Sequence, residues 1–411
     1  MSETVAKQKI DLTNLFLILA FALSFFSTPF IAFTAFASIF FIIDLIRKKK
    51  TAKLLINDGL FFILFVALIL SSVFAVFDKW LSLGSAVLFG LYWLAYFMIR
   101  NTADDKLIAN VMKAVSCMLI IVCATAIAHF FINKDIVLNL FNETVIFKAR
   151  SHKNTLASFM VYPALFGNFL AIHLTAMMVY FIYNFRKLKP VWIVIFALAF
   201  IIGILTIVLT QARGGLIILF VAALVVFFFL PGKVKAFLLI PVVIASVVSA
   251  LFMPAKWVQT IKDPLNEANI RARFSMIVAG MDLYEEKGNP AVGIGIMGFR
   301  EWWGDWPKKV KYSIYEDLNY IHNVYFSFFL ETGIIGLLTF IVWIGYLIWI
   351  LARDAVKKRN WKSISGFALV SGFVINSLVD NLIYVVMLGF LLFLYWGIFA
   401  SEIDDRALLK S

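Results

Sequence analysis

Residues 191–230 read VWIVIFALAFIIGILTIVLTQARGGLIILFVAALVVFFFL. Two apolar runs, each close to twenty residues, flank one short polar turn, Thr210-Gln211-Ala212-Arg213-Gly214-Gly215. A bilayer core of roughly 30 Å takes about 20 apolar residues of helix. The stretch therefore predicts two membrane-spanning helices joined by a tight turn. Lipid offers the backbone no hydrogen-bond partner, so each run must satisfy its own amides and carbonyls as a helix. Arg213 is the one charged residue of the forty, and it sits in the turn.

Working outward, the same signal recurs at residues 12–28, 30–46, 59–77, 80–99, 107–132 and 156–184 before this pair, and at 236–253, 323–351, 363–379 and 383–400 after it. The first pair is split near Pro29 and the last around Asp380 and Asn381. Composition agrees: hydrophobic residues make up 63% of the 411 and charged residues 15%. Soluble domains average about 45–50% and 25%, so a string of soluble domains is excluded, and so is disorder. The expected fold is an all-α polytopic membrane protein of about twelve transmembrane helices. Residues 1–253 hold nine of them, 254–321 form one large outer loop, and 322–411 hold the last three with a tail. The first span runs almost directly into the second with no small-residue cleavage site, and reads as a retained span rather than a signal peptide.

The net charge of +13 invites a nucleic-acid reading, which the location of the charge removes. With the N-terminus placed in the cytoplasm, the inner segments carry 21 Lys and Arg, and the short outer segments carry six. That bias follows the positive-inside rule and places both termini in the cytoplasm. The loop 254–321 is left out of the count because long loops cross largely regardless of charge. It holds nine basic and nine acidic residues. A 68-residue insertion on one face of a bundle is where function is expected. Cys117 and Cys123 lie in one apolar run with no CxxC motif, which supports neither a disulfide framework nor a thiolate metal site.

Four histidines are present. His129 and His173 fall inside or at the ends of apolar runs and read as hydrogen-bonded helix residues. His152 lies in an outer loop with Lys148, Arg150 and Lys153, where it is solvated or helps hold an anionic lipid head group. His322 closes the long loop at the mouth of the tenth span, where a neutral imidazole could take a proton from an incoming hydroxyl. Arg213 near the bilayer marks a site or a snorkelling anchor. The glycines after it would let the backbone approach a ligand, and the next helix would turn its positive end there. Arg271 and Arg273 open an amphipathic segment of the loop. They read either as a clamp for a diphosphate, since guanidinium groups offer paired donors, or as a solvated pair. Gly293-Ile294-Gly295-Ile296-Met297-Gly298 fits a dinucleotide fingerprint, but no βαβ unit surrounds it. Trp302, Trp303 and Trp306 read as interface anchors or as a sugar-stacking surface. Glu316, Asp317 and His322 make a metal site conceivable, at a spacing without specificity.

His322-Asn323, then nine residues, then Gly333-Ile334-Ile335-Gly336 fits the H[NSQ]x9GxxG signature of the O-antigen ligase and Wzy-type polymerase superfamily, and the chain resembles that family. Gln211-Ala212-Arg213 looks like its membrane-level arginine turn, and Arg273-Phe274-Ser275-Met276 like its second arginine, with Arg271 as the alternative. Pro290 to Phe299 looks like its P-x-x-G-x-G-x-x-x-F stretch, which also accounts for the dinucleotide match. Asp380 sits where related ligases carry an acidic residue; it would orient His322 or the acceptor, or cap a helix end. The resemblance implies a GT-C-type glycosyltransferase fold and an inverting enzyme of the bacterial inner membrane that needs no metal or cofactor. Its donor would be a glycan on undecaprenyl diphosphate at the periplasmic face, and its acceptor a sugar hydroxyl of lipid A–core. His322 would be the base, and Arg213 with Arg273 the diphosphate ligands; Arg271, Asn323, Asp380, Gly333 and Gly336 would support them. Partners would be these two substrates and membrane lipids, with no nucleic acid. A Wzy-type polymerase, with a growing glycan as acceptor, is the alternative. A transporter would need inverted repeats and ionisable residues at the bilayer midplane, and neither stands out.

Overall fold

The computed structural model describes residues 11–47, 51–132, 136–140, 143–147, 156, 162–232, 235, 268–303 and 320–404. The first five helices are α1 (Leu12–Ala22), α2 (Ser27–Ile46), α3 (Ile56–Val73), α4 (Lys79–Thr102) and α5 (Asp105–Ile132). A two-stranded antiparallel hairpin follows, β1 (Ile136–Leu140) and β2 (Glu143–Phe147), with Ile136 opposite Phe147. Next come α6 (Pro163–Asn184), α7 (Pro190–Thr210) and α8 (Arg213–Phe229). The described part of the long loop forms α9 (Ala268–Lys287) and α10 (Gly298–Trp303). The chain closes with α11 (Val324–Lys358), α12 (Trp361–Asn376), a 3₁₀ turn Leu382–Tyr384, and α13 (Val386–Phe399).

Seven of the described helices, α2 to α7 and α11, are long and apolar enough to cross a membrane; α1, α8 and α13 are shorter apolar helices. The chain is a polytopic membrane protein built from helices. Eleven of the twelve expected spans coincide with described helices, and the ninth, 236–253, lies outside the described residues. Two expectations shift. The first break falls at residues 23–26 rather than at Pro29, which sits in the first turn of α2, a place where proline's missing N–H costs nothing. The hairpin is an exception to the all-helical expectation; its strands are rich in β-branched and aromatic residues, which suit a pleated surface.

The ends of the helices follow their sequence. Pro163 and Pro190 open α6 and α7 at positions where no intrahelical N–H is needed. Asp78 and Asn360 cap α4 and α12 with side-chain oxygens. α13 is apolar on every side and buried from Met387 to Phe399, as befits a central helix. It packs on α4 and α12. α12 also packs on α6, α8 and α11, and α6 on α7 and α8.

α11 is broken at Gly333, whose backbone (φ 65°, ψ −169°) only glycine adopts readily. In an unbroken helix the amides of Ile334 and Ile335 would reach the carbonyls of Leu330 and Glu331. Here they donate to Pro290 and Ala291 oxygens at 3.0 and 3.2 Å, while the Leu330 and Glu331 oxygens accept from Ile294 and Gly295 at 3.1 and 2.9 Å. The loop strand 290–295 thus completes the broken helix. Gly293 and Gly333 meet backbone to backbone, with no room for a Cβ on either. Gly336 gives way to the Thr332 side chain.

Around this joint sits a second core, which includes Met276 and Leu283 of α9, Ile294, Phe299, Trp302 and Trp303, with Ile321 and Leu330. Trp302 and Trp303 are buried. They are neither interface anchors nor an open stacking surface, because Phe299 stacks on Trp303 at 5.6 Å and the loop folds over them. Trp306 lies outside the described residues.

Candidate active site

The start of α11, the end of α12, and the starts of α6 and α8 meet at one end of the bundle. His322 precedes α11 in a bend. Its Nδ1 lies 3.0 Å from Asp380 Oδ1, with side chains 15% and 8% exposed. Asp380 follows α12. Its Oδ1 also accepts from the Asn381 amide at 2.9 Å, and its Oδ2 accepts from Asn168 Nδ2 at 2.8 Å. Burial alone would raise the Asp380 carboxyl. The hydrogen bond and charge of His322, the Asn381 amide and the nearby Arg273 hold it below its ordinary value instead. An ionised carboxylate can only accept, so His322 Nδ1 is the nitrogen that donates to Asp380, and in the neutral tautomer that this contact selects Nε2 is the proton acceptor.

The surrounding backbone is tied down by asparagines. Asn323 caps α11, accepting from the Phe326 amide at 2.8 Å, and its Nδ2 donates to the Leu378 oxygen at 3.1 Å. Asn381 Nδ2 donates to the Ile321 oxygen at 3.2 Å and to Ser327 Oγ at 2.9 Å. The residues on both sides of His322 are therefore bolted to the turn that carries Asp380. The Tyr320 ring lies 5.3 Å from the imidazole. Its phenol is pushed up by burial first and by the Asp380 charge second.

Arg213 is the exposed first residue of α8, after Gln211 in left-handed backbone (φ 54°) and Ala212, which offers no capping side chain. The two glycines behind it act differently from expectation. Gly215 lets α8 cross α6 closely, since a Cβ would overlap the Gly167 carbonyl. Gly214 faces the side chains of Asn168 and Asn376, each with Oδ1 2.8 Å from where a Cβ would stand. Gly214, next to Arg213, thus lies beside Asn168, whose Nδ2 is bonded to Asp380.

Residues 198–341 match the family model described as O-antigen ligase. Those residues belong to the O-antigen ligase superfamily. No curated protein matches the chain. The matched stretch holds Arg213, Arg271, Arg273, His322, Asn323, Gly333 and Gly336, while Asn168, Asn376 and Asp380 lie outside it.

Within this cluster the two loop arginines separate. Arg273 is close enough to favour the ionised form of the Asp380 carboxyl and to offset part of what raises the Tyr320 phenol. Arg271 is exposed and, two residues away, points to nearly the opposite side of α9. Gly333 and Gly336 belong to the joint in α11 rather than to the polar cluster. His173 is a core residue, with ring nitrogens 3.2 Å from Ser24 Oγ and 2.7 Å from the Tyr395 hydroxyl. His129 is buried. His152, Lys148, Arg150, Lys153, Glu316 and Asp317 lie outside the described residues. Among the described residues no three His, Cys, Asp or Glu side chains gather as a metal site would require.

Sequence reasoning missed Asn168, Asn376 and Asn381. The signal was present: each is a polar amide in or beside an apolar run, and polar groups at membrane level are expensive and usually functional.

Proposed function

We propose that the protein is an O-antigen ligase: it moves a glycan from undecaprenyl diphosphate to a sugar hydroxyl of lipid A–core at the periplasmic face of the bacterial inner membrane. The observation that carries this reading is the His322–Asp380 pair, standing at the same end of the bundle as Arg213 and Arg273. His322 Nε2 takes the proton of the attacking hydroxyl, while Asp380 holds the other nitrogen and steadies the imidazolium that forms. The hydroxyl oxygen bonds to the anomeric carbon as the bond from that carbon to the phosphate oxygen breaks, so the configuration inverts. The lipid diphosphate departs with its extra negative charge, which Arg213 and Arg273 stabilise. Exchange of the activated glycosyl–diphosphate linkage for a glycosidic one supplies the driving energy, and no nucleotide is consumed. Holding both lipids in one cleft contributes proximity worth up to about 7–11 kcal/mol of barrier. The twelve-span, GT-C-type plan with cytoplasmic termini belongs to the same reading.

The test is a gene deletion read on lipopolysaccharide gels, complemented by wild type and by His322→Ala. Loss of a ligase leaves the core bare and accumulates lipid-linked polymer, and His322→Ala should fail to restore transfer at normal protein level. A deletion that leaves at most one repeat unit on the core would identify a polymerase instead.

A further inference from the structure

The polar cluster contains two amides that the mechanism does not use. Asn168 and Asn376 are fully buried, yet Asn168 Oδ1 and both polar atoms of Asn376 have no hydrogen-bond partner among the described residues. Buried amides are nearly always paired, and an unpaired one opposes folding, so such a group needs a reason. Both side chains converge on one place: the Oδ1 atoms lie 2.8 Å from where a Cβ on Gly214 would stand. That place is the first turn of α8, whose N-cap Ala212 lends no side-chain acceptor. The amides of such a turn have no partner within the helix, and they carry its positive end.

We propose that Asn168, Asn376 and the first turn of α8 bind a sugar hydroxyl of one of the two glycan substrates; this rests on the ligase reading above. The donor and acceptor pattern selects the ligand. Asn168 must turn its Nδ2 to the Asp380 carboxylate, 2.8 Å away, because a carboxylate needs a donor. Its Oδ1 is then left over and can only accept. The ligand must therefore donate to Asn168 and also accept from Asn376 or the α8 turn. An ionised phosphate only accepts and fails the first requirement. A hydroxyl does both. The position also fits: Asn168 and His322 grip the two oxygens of the same carboxylate, and Arg213 is the residue before Gly214. The two amides thus stand between the base and the arginine, where they would hold a neutral part of a sugar.

The test uses Asn376→Leu, which keeps the shape and removes the polar atoms, and Gly214→Ala, which puts a methyl group between the two amides. Initial rates of the full-length protein in nanodiscs are measured against lipid-linked donor and against lipid A–core acceptor. Each variant should raise the Michaelis constant for one substrate by about tenfold or more, the equivalent of one ordinary hydrogen bond. The other constant should stay near its wild-type value. A shift in the acceptor constant assigns the hydroxyl to the acceptor sugar, and a shift in the donor constant assigns it to the donor glycan. The melting temperature of Asn376→Leu should hold or rise, because an unpaired amide is gone. Unchanged constants in active variants would mean that trapped water satisfies the amides, and would overturn the proposal while leaving the ligase reading intact. A lowered melting temperature with both constants and the turnover degraded together would overturn it as well. A wild-type protein that transfers nothing would remove the ligase reading first.

Discussion

The three arginines differ in what their geometry lets them do. Arg213 stands at the start of α8, and Arg273 lies within electrostatic reach of Asp380, while Arg271 points elsewhere on α9. A guanidinium binds two phosphate oxygens through a planar fork, which an ammonium on a flexible stem does not reproduce. A charge-assisted hydrogen bond is worth roughly 1.5–3 kcal/mol, or about one to two decades in rate. Arg213→Lys and Arg273→Lys should each lose that much in initial rate with lipid-linked donor, and Arg271→Lys should stay close to wild type. Near-normal rates for the first two would show that positive charge suffices without the fork. Asp380 supports a separate expectation. Its carboxyl lies below the ordinary value in the folded protein, so the folded state favours the ionised form. That contribution to stability is complete above the unfolded carboxylate value of about 4 and is lost as pH falls through the depressed folded value. Thermal unfolding of wild type beside Asp380→Asn should therefore show its largest difference near neutral pH, and the two curves should converge in acid. A constant difference across that range would mean that Asp380 acts through shape alone.

At the scale of elements, α11 and the loop strand 290–295 stabilise each other, because each completes the other's backbone hydrogen bonds. Gly333→Ala should be severe: it strains a positive-φ position, at about 1–3 kcal/mol, and drives a methyl group into the backbone of Ala291 and Val292. Gly345 lies further along the same helix with open space around its Cβ position. Gly345→Ala should be neutral or stabilise by about 0.5–1 kcal/mol, the usual helix preference for alanine over glycine. Melting temperatures of the two variants in detergent decide the matter, and equal effects would dismiss the joint. The same joint shows what sequence can and cannot reveal. Hydropathy reads 323–351 as one span, because Glu331 and Thr332 beside Gly333 are outweighed by the apolar residues around them and a break leaves no trace in the average. The spacing of His322, Asn323, Gly333 and Gly336 was legible through its resemblance to a family signature, and the fold supplies the physical reason: a helix cap at Asn323 and two steric demands at the glycines. The pairing of Gly333 with Gly293 was not, since forty residues separate them and only the folded contact explains both. Asn168 escaped for the same reason, with 212 positions between it and Asp380.

At the scale of the whole molecule, the two ends of the bundle differ in chemistry. One gathers His322, Asp380 and the asparagines. The other holds several ion pairs: buried Arg100 with Asp58 at 2.8 Å, Lys362 with Asp105 at 2.8 Å and with Glu402, and Lys53 with Asp404 at 2.9 Å. The chain alternates between these ends, so sidedness follows once one position is fixed. By sequence, the segments expected on the cytoplasmic side carry 21 Lys and Arg against six in the short segments expected on the other, and Arg100, Lys53 and Lys362 at the ion-pair end belong to the first group. Short-loop lysines and arginines stay on the cytoplasmic side, so the expected orientation turns the site outward. Single-cysteine labelling tests this directly. The two native cysteines, Cys117 and Cys123, are first replaced. One new cysteine is then placed at Glu286, exposed on α9 at the site end, or at Lys357, exposed at the far end of α11. In intact cells with a permeable outer membrane, an impermeant maleimide should label Glu286→Cys and leave Lys357→Cys untouched until the inner membrane is broken. The reverse pattern would put His322 in the cytoplasm. The site would then face neither the outward-presented glycan donor nor the side on which it joins its acceptor, and the ligase reading would fall even if the fold stood unchanged.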